Sequence, residues 1–188
     1  MITKKLKCDK TYEIADIDAF CEHSRITDLY DEIVVQQCLD AAHDTVEGWL
    51  NRPLYLTNFV GILDEFNQEV FLPKPTVRAV TLITAEDEDY NEHSLTQNVD
   101  WKFDDVYESV RFLTNSSTEF AKLRRFKIYF TSGYCQETDP VPPAVVSAIL
   151  MTAATLYENR EDTLIGTQIN TVPLDAKRLL RIHRRRPM

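Results

Sequence analysis

Pro142-Pro143-Ala144-Val145-Val146-Ser147-Ala148-Ile149-Leu150-Met151-Thr152-Ala153-Ala154-Thr155-Leu156-Tyr157-Glu158-Asn159-Arg160 decides how the rest of the chain is read. Two prolines suit a first helical turn, where the missing N–H has no intrahelical partner to lose. Val146, Ile149, Leu150, Ala153, Leu156 and Tyr157 then recur at spacings of three and four, so Ala144 to Asn159 reads as a helix with an apolar stripe. Downstream, the polar run from Glu161 to Thr171 around Gly166 reads as a loop. Pro173 opens a last helix with Leu174, Leu179, Leu180 and Ile182 on its apolar side, and the chain then turns basic at Arg184-Arg185-Arg186.

Upstream, the same period marks two more helices. Ile14, Ile17, Phe20 and Cys21 predict a short one over about Ala15 to His23. A longer one runs from Asp28 to Leu50, with Leu29, Ile33, Val34, Cys38, Ala41, Ala42, Thr45, Val46 and Trp49 expected inward and Asp31, Gln36, Asp40, Asp44 and Glu47 outward. Thr27 or Asp28 can cap it, and Asn51-Arg52-Pro53 ends it, because proline disfavours helical geometry in the residue before it.

Between these helices the period changes. Phe59 to Leu63, Val70 to Leu72, Val77 to Thr84, Val99 to Phe103, Val110 to Leu113 and Lys127 to Thr131 are short β-branched and aromatic runs separated by turn residues. They predict a small, mostly antiparallel β unit. Pro73 and Pro75 mark a strand edge or link, Glu86-Asp87-Glu88-Asp89 a loop tip, and Gly133 the end of the last strand. The fold class is therefore α+β: a helical core of about four helices with the β unit between the second and third. The expected division is 1–54 and 141–183 for the helical core, 55–140 for the β unit and 184–188 for a basic tail.

Composition narrows the functions. The chain has 188 residues, 44% of them hydrophobic, enough to bury roughly 70% of its unfolded surface without staples. Its four cysteines, Cys8, Cys21, Cys38 and Cys135, lie far apart; with no secretory segment or bilayer-spanning run recognisable, they are expected to be reduced and intracellular. The net charge of −9 argues against a general nucleic-acid binder. Its distribution is uneven: 14 basic against 26 acidic residues through Val141 give −12, and 7 basic against 4 acidic from Pro142 onward give +3.

Candidate chemistry is sparse. Four glycines, Gly48, Gly61, Gly133 and Gly166, cannot build a phosphate-cradling loop or a dinucleotide fingerprint. Cys21 with His23 and Cys38 with His43 supply two ligands each, and a metal site needs three or four. Asp16 with Asp18, Asp104 with Asp105, and the Glu86 to Asp89 run have the residue types for acid–base work or ion binding, but no EF-hand spacing and no nucleophile elbow accompanies them. Solvated loops explain them better. No cofactor or metal is expected. The basic end, Arg178, Arg181, His183, Arg184, Arg185 and Arg186, has three readings: complementing the negative pole of the last helix, meeting an acidic protein surface, or touching DNA phosphates.

The linear order resembles the head–tail connector, or adaptor, proteins of tailed bacteriophages and prophages. The resemblance rests on Ala41-Ala42 leading to Val46-Glu47-Gly48-Trp49-Leu50-Asn51-Arg52-Pro53-Leu54, on Leu72-Pro73-Lys74-Pro75-Thr76-Val77, and on Ile128-Tyr129-Phe130-Thr131-Ser132-Gly133-Tyr134. It continues through Val141-Pro142-Pro143-Ala144, Leu156 to Arg160 and Leu174-Asp175-Ala176-Lys177-Arg178-Leu179-Leu180. It implies a non-enzymatic virion subunit, made in the host cytoplasm, that joins copies of itself in a ring, commonly of twelve. The ring docks on the portal, meets a downstream tail-completion or stopper protein, and passes DNA without sequence-specific binding or membrane contact. Candidate subunit-interface residues are Glu47, Trp49, Arg52, Tyr157, Glu158 and Arg160. Candidate portal contacts are Arg178, Arg181, His183, Arg184, Arg185 and Arg186. The alternatives are a monomeric protein-binding module and a metal-dependent hydrolase built on the acidic loops.

Overall fold

Pro143 stands in the first turn of a helix, as its ring requires, in a computed structural model that describes residues 1–8, 12–26, 31–113, 123–134, 138–159 and 174–184. The chain divides into two compact units: Thr11–Leu54 with Cys135–Arg186, and Tyr55–Tyr134 with the N-terminal strand. Among the described residues there are four helices and eight strands, the α+β composition expected.

In the helical unit, α1 (Ile17–Ser24) is capped by Asp16, whose carboxylate accepts the Ala19 N–H at 2.7 Å. One member of the Asp16 and Asp18 pair is thereby committed to satisfying an orphan helix donor. Helix α2 (Glu32–Leu50) ends at Asn51, which adopts a left-handed φ of 53°; asparagine tolerates that region better than most residues. The expected cap at Thr27 or Asp28 lies outside the described residues. Helix α3 (Pro143–Glu158) lies against α1, α2 and α4 (Leu174–Leu180).

The buried face of α2 differs from the expected stripe. Val35, Leu39, Ala42, His43, Val46 and Leu50 are inside, while Ile33 is 76% exposed. The stripe read from the sequence is rotated by about one residue, roughly 100° around the axis. The reason is that α2 has apolar residues on more than one side, and packing against α3 selects which of them are covered.

In the β unit, strands β1 (Ile2–Cys8), β2 (Thr57–Leu63), β8 (Arg124–Ser132), β4 (Val77–Glu86) and β5 (Glu92–Leu95) form one antiparallel sheet in the order β1-β2-β8-β4-β5. Strands β3 (Glu69–Phe71), β7 (Ser109–Phe112) and β6 (Trp101–Asp104) form a second, in the order β3-β7-β6. The central strand β8 alternates cleanly, with Phe126, Ile128, Phe130 and Ser132 buried, the period a sheet with one covered face requires. Both sheets contribute to one core, from Phe59, Ile83, Phe126, Ile128 and Phe130 on one side to Val70, Trp101, Val110 and Phe112 on the other. Phe66, Phe112 and Phe126 meet with centroids 5.4–5.9 Å apart.

Two strands, β1 and β5, lie outside the β runs expected from the sequence. Both are sheet edges made largely of polar residues: Lys4, Lys5 and Lys7 on β1, and Glu92, His93 and Ser94 on β5. Their pairing comes from the neighbouring strand rather than from their own propensity. The loop with Pro73 and Pro75 is a link as expected, pinned by Glu108, whose carboxylate accepts the N–H groups of Thr76 at 2.5 Å and Val77 at 3.3 Å. Gly133 follows the last strand with φ +128°, and a Cβ there would strike the Tyr55 carbonyl.

Candidate interaction surfaces

The C-terminal turn of α2 gathers three of the candidate interface residues. Glu47 reaches past the helix end, and its Oε2 accepts the Leu54 N–H at 3.0 Å, which closes the Asn51-Arg52-Pro53 turn. Arg52 and Trp49 are half-buried. Across from them comes a residue assigned by sequence to the basic end: the Arg184 guanidinium lies over the Trp49 ring, 4.7 Å from its centroid.

The remaining candidates are placed apart from that cluster. Tyr157 turns toward Phe20 in an edge-to-face contact with centroids 5.7 Å apart, while Glu158 is exposed at the end of α3. Asn159 folds its side chain back onto the Thr155 carbonyl at 3.0 Å. Arg160, Arg185, Arg186, Cys135 and the loop from Glu161 to Thr171 lie outside the described residues. In the basic end, Arg178 and Arg181 are exposed and His183 is half-buried; Arg178 makes one long contact to Asp175, 3.4 Å.

A surface not singled out from the sequence lies along α2 and α3. Val34, Gln37, Cys38 and Ala41 of α2, with Leu156 and Asn159, line an open groove of about 370 Å³. Its signal is present in the sequence, since Val34, Cys38 and Ala41 belong to the stripe assigned inward. Cys38 therefore lines the groove while His43 is buried on another side of the helix.

In the β unit the acidic residues are tied into local turns. Asp87 accepts the N–H groups of Asp89 and Asn91 at 2.9 and 2.8 Å, and pairs with the His93 ring at 2.8 Å. These bonds, His93 first among them, hold its carboxyl down from the ordinary 3.8 to about 2. Lys127 bridges Glu86 at 2.9 Å and Glu92 at 3.1 Å. The Thr84 hydroxyl, and then Lys127, lower the Glu92 pKa; Glu86, and then Glu92, raise that of Lys127. Asp104 accepts the Val106 and Tyr107 N–H groups within its own turn. Among the described residues, no three His, Cys, Asp or Glu side chains gather as a metal site would require, and no helix is long and apolar enough to cross a membrane.

No protein-family model matches the sequence, and no curated protein does. Solved structures do. A chain in the neck of an empty gene transfer agent particle, computed with C6 symmetry, matches with a TM-score of 0.73 at 20% identity, covering 100% of this chain and 97% of its own. One in the neck of the native particle, computed with C12 symmetry, matches with a TM-score of 0.72 at 20% identity and the same coverage. This chain shares the fold of a gene transfer agent neck component. A chain from the virion of the native gene transfer agent particle agrees, with a TM-score of 0.72 at 18% identity and the same coverage. The neck fold therefore extends through both units, helical and β alike. It also agrees with the resemblance to head–tail connectors carried by the Trp49, Pro142 and Leu174 segments.

Proposed function

We propose that this chain is a structural subunit of the neck of a tailed-phage-like particle, a connector that joins copies of itself in a ring between portal and tail. The observation that carries this reading is the match in fold to gene transfer agent necks over the full length of the chain. Those necks were computed with sixfold and twelvefold symmetry, and a ring of twelve copies is the corresponding assembly here. Such a ring needs two unlike surfaces on each copy, because one face of each subunit meets a different face of the next until the rotation closes.

The subunit acts by assembly and docking, without a reaction of its own. The end of α2 and the end of α3, with Glu47, Trp49, Arg52, Tyr157, Glu158 and Arg160, contribute to the subunit contacts. The basic end from Arg178 docks on the portal, and a stopper or tail-completion protein binds below. DNA passes through the opening without being read. The acidic body, −12 through Val141, favours that passage, since a basic lining would hold phosphates.

Mass measurement and electron microscopy of the purified protein, alone and with its portal, test the reading. A closed annulus in either condition is expected, and a chain that stays monomeric in both overturns it. Within the assembled neck, removing His183 to Met188 is expected to weaken portal attachment more than ring formation; equal portal binding by the shortened chain removes the docking role of the tail.

A further inference from the structure

The lysine-rich strand β1 and the acidic β4–β5 turn have no part in the contacts assigned so far, and the topology places them at opposite ends of one sheet. In the order β1-β2-β8-β4-β5, β1 pairs with β2 alone and β5 with β4 alone among the described strands. An edge strand turns about half of its backbone N–H and C=O groups away from its one neighbour, and those groups invite another strand.

The two edges have opposite character. Strand β1 carries Lys4, Lys5 and Lys7 and no carboxylate, and Ile2 and Leu6 on it are 72% and 49% exposed. At the far edge stand Glu86, Asp87, Glu88, Asp89 and Glu92. Glu86 and Glu92 share Lys127, and Asp87 is engaged by its own turn and His93. Glu88 and Asp89 are exposed at the tip beside Tyr90, which is 84% exposed, and neither is in an ion pair among the described residues.

We infer that these edges meet between neighbouring copies of this chain, with β1 of one copy running along β5 and the acidic turn of the next. This rests on the ring reading and names a surface for it. Lysines on an edge strand ordinarily repel other strands. An edge rich in carboxylates is the exception, so the lysines exclude every edge but the matching one.

The arrangement also selects a ring over a two-fold dimer. A two-fold axis would set β1 against β1 or β5 against β5, lysine facing lysine or carboxylate facing carboxylate, and like charges directly opposite are destabilising. Head-to-tail contact places unlike charges together at every boundary. Strand direction is compatible as well: four successive antiparallel pairings leave β1 and β5 running the same way. Neighbours in a many-membered ring differ by a modest rotation, so the two edges meet in parallel.

Charge reversal tests the contact. Two variants, Lys4→Glu with Lys7→Glu and Glu88→Lys with Asp89→Lys, each change exposed positions; circular dichroism checks that each remains folded. Ring formation is measured by mass and by electron microscopy, alone and with the portal. Each variant is expected to weaken ring formation on the order of tenfold or more, and all four substitutions in one chain to restore it, because both edges then exchange sign. A ring that forms as well from either double variant as from the wild-type chain overturns the edge contact and leaves the ring reading standing. Wild-type protein that forms no ring under any of these conditions overturns the ring reading, and this contact with it.

Discussion

Arg184 sets its guanidinium carbon over the indole of Trp49, 4.7 Å from the ring centroid, and so ties the chain beyond α4 to the last turn of α2. The contact is electrostatic attraction between a delocalised cation and the negative face of the ring.

Replacing Arg184 with alanine is expected to cost about 0.5–1 kcal/mol, the range for an exposed cation–π pair. For a chain of this size that lowers the melting temperature by about 1–4 °C. The tryptophan emission should change with it, because Trp49 loses its cover while Trp101 stays buried at 2% exposure. An unchanged melting temperature and emission spectrum would show that the contact does not persist in solution.

Two glycines should respond to alanine in opposite directions. Gly133 has φ +128°, and a Cβ there meets the Tyr55 backbone; Gly133→Ala is expected to destabilise by at least about 1–3 kcal/mol. Gly48 lies in α2, and a Cβ at that position would have nothing within 4 Å. Gly48→Ala is expected to stabilise the isolated chain by about 0.5–1 kcal/mol, through helix propensity. Urea denaturation of the two variants measures both.

Glu108 accepts two backbone N–H groups, at Thr76 and Val77, and these fix the link between β3 and β4. Glu108→Ala leaves both donors without that acceptor and is expected to lose about 1–3 kcal/mol. Glu108→Gln retains an amide oxygen that can accept and should lose less. Hydrogen exchange at Thr76 and Val77 reports it directly: faster exchange in the alanine variant is expected, and unaltered protection would remove Glu108 from this role.

Asp87 gives a pH prediction with a definite sign. Its pKa is lower in the folded chain than the ordinary 3.8, at about 2, so its bonds favour the folded chain fully above 3.8 and are lost as pH falls toward 2. Carboxyl-carbon NMR should find its midpoint at about 2, and His93→Ala should move it upward, because the His93 contact is the largest cause of the depression. A wild-type midpoint at 3.8 would mean that the turn does not hold as described.

The helices and most strands are legible in the sequence because their periods are set by burial on one side. Strand β8 alternates from Phe126 to Ser132, and α3 begins where Pro143 permits it. Strands β1 and β5 are not, since an edge strand takes its hydrogen bonds from a neighbour and keeps a polar sequence of its own. The rotation of α2 is hidden for a different reason: Ile33, Val34 and Cys38 are as apolar as Val35 and Leu39, and no local rule ranks one side above the other.

The candidate interaction residues divide in the same way. Asn51-Arg52-Pro53 announces the end of α2, where Glu47 and Trp49 stand, but nothing local indicates that Glu47 closes the turn at Leu54 or that Arg184 covers Trp49. The basic end can be read as a charge pattern; its attachment to α2 cannot.

What the amino-acid order determined by itself was the four helices and six of the eight described strands, because helical and strand periodicity, proline stops and a strand-ending glycine act within a few residues. Tertiary structure alone decided which side of α2 is covered, that Lys4 and Glu88 belong to opposite edges of one sheet, and that Tyr157 faces Phe20. Those outcomes depend on contacts between distant segments, where many pairings are chemically acceptable and the choice is made by the packing of the whole unit.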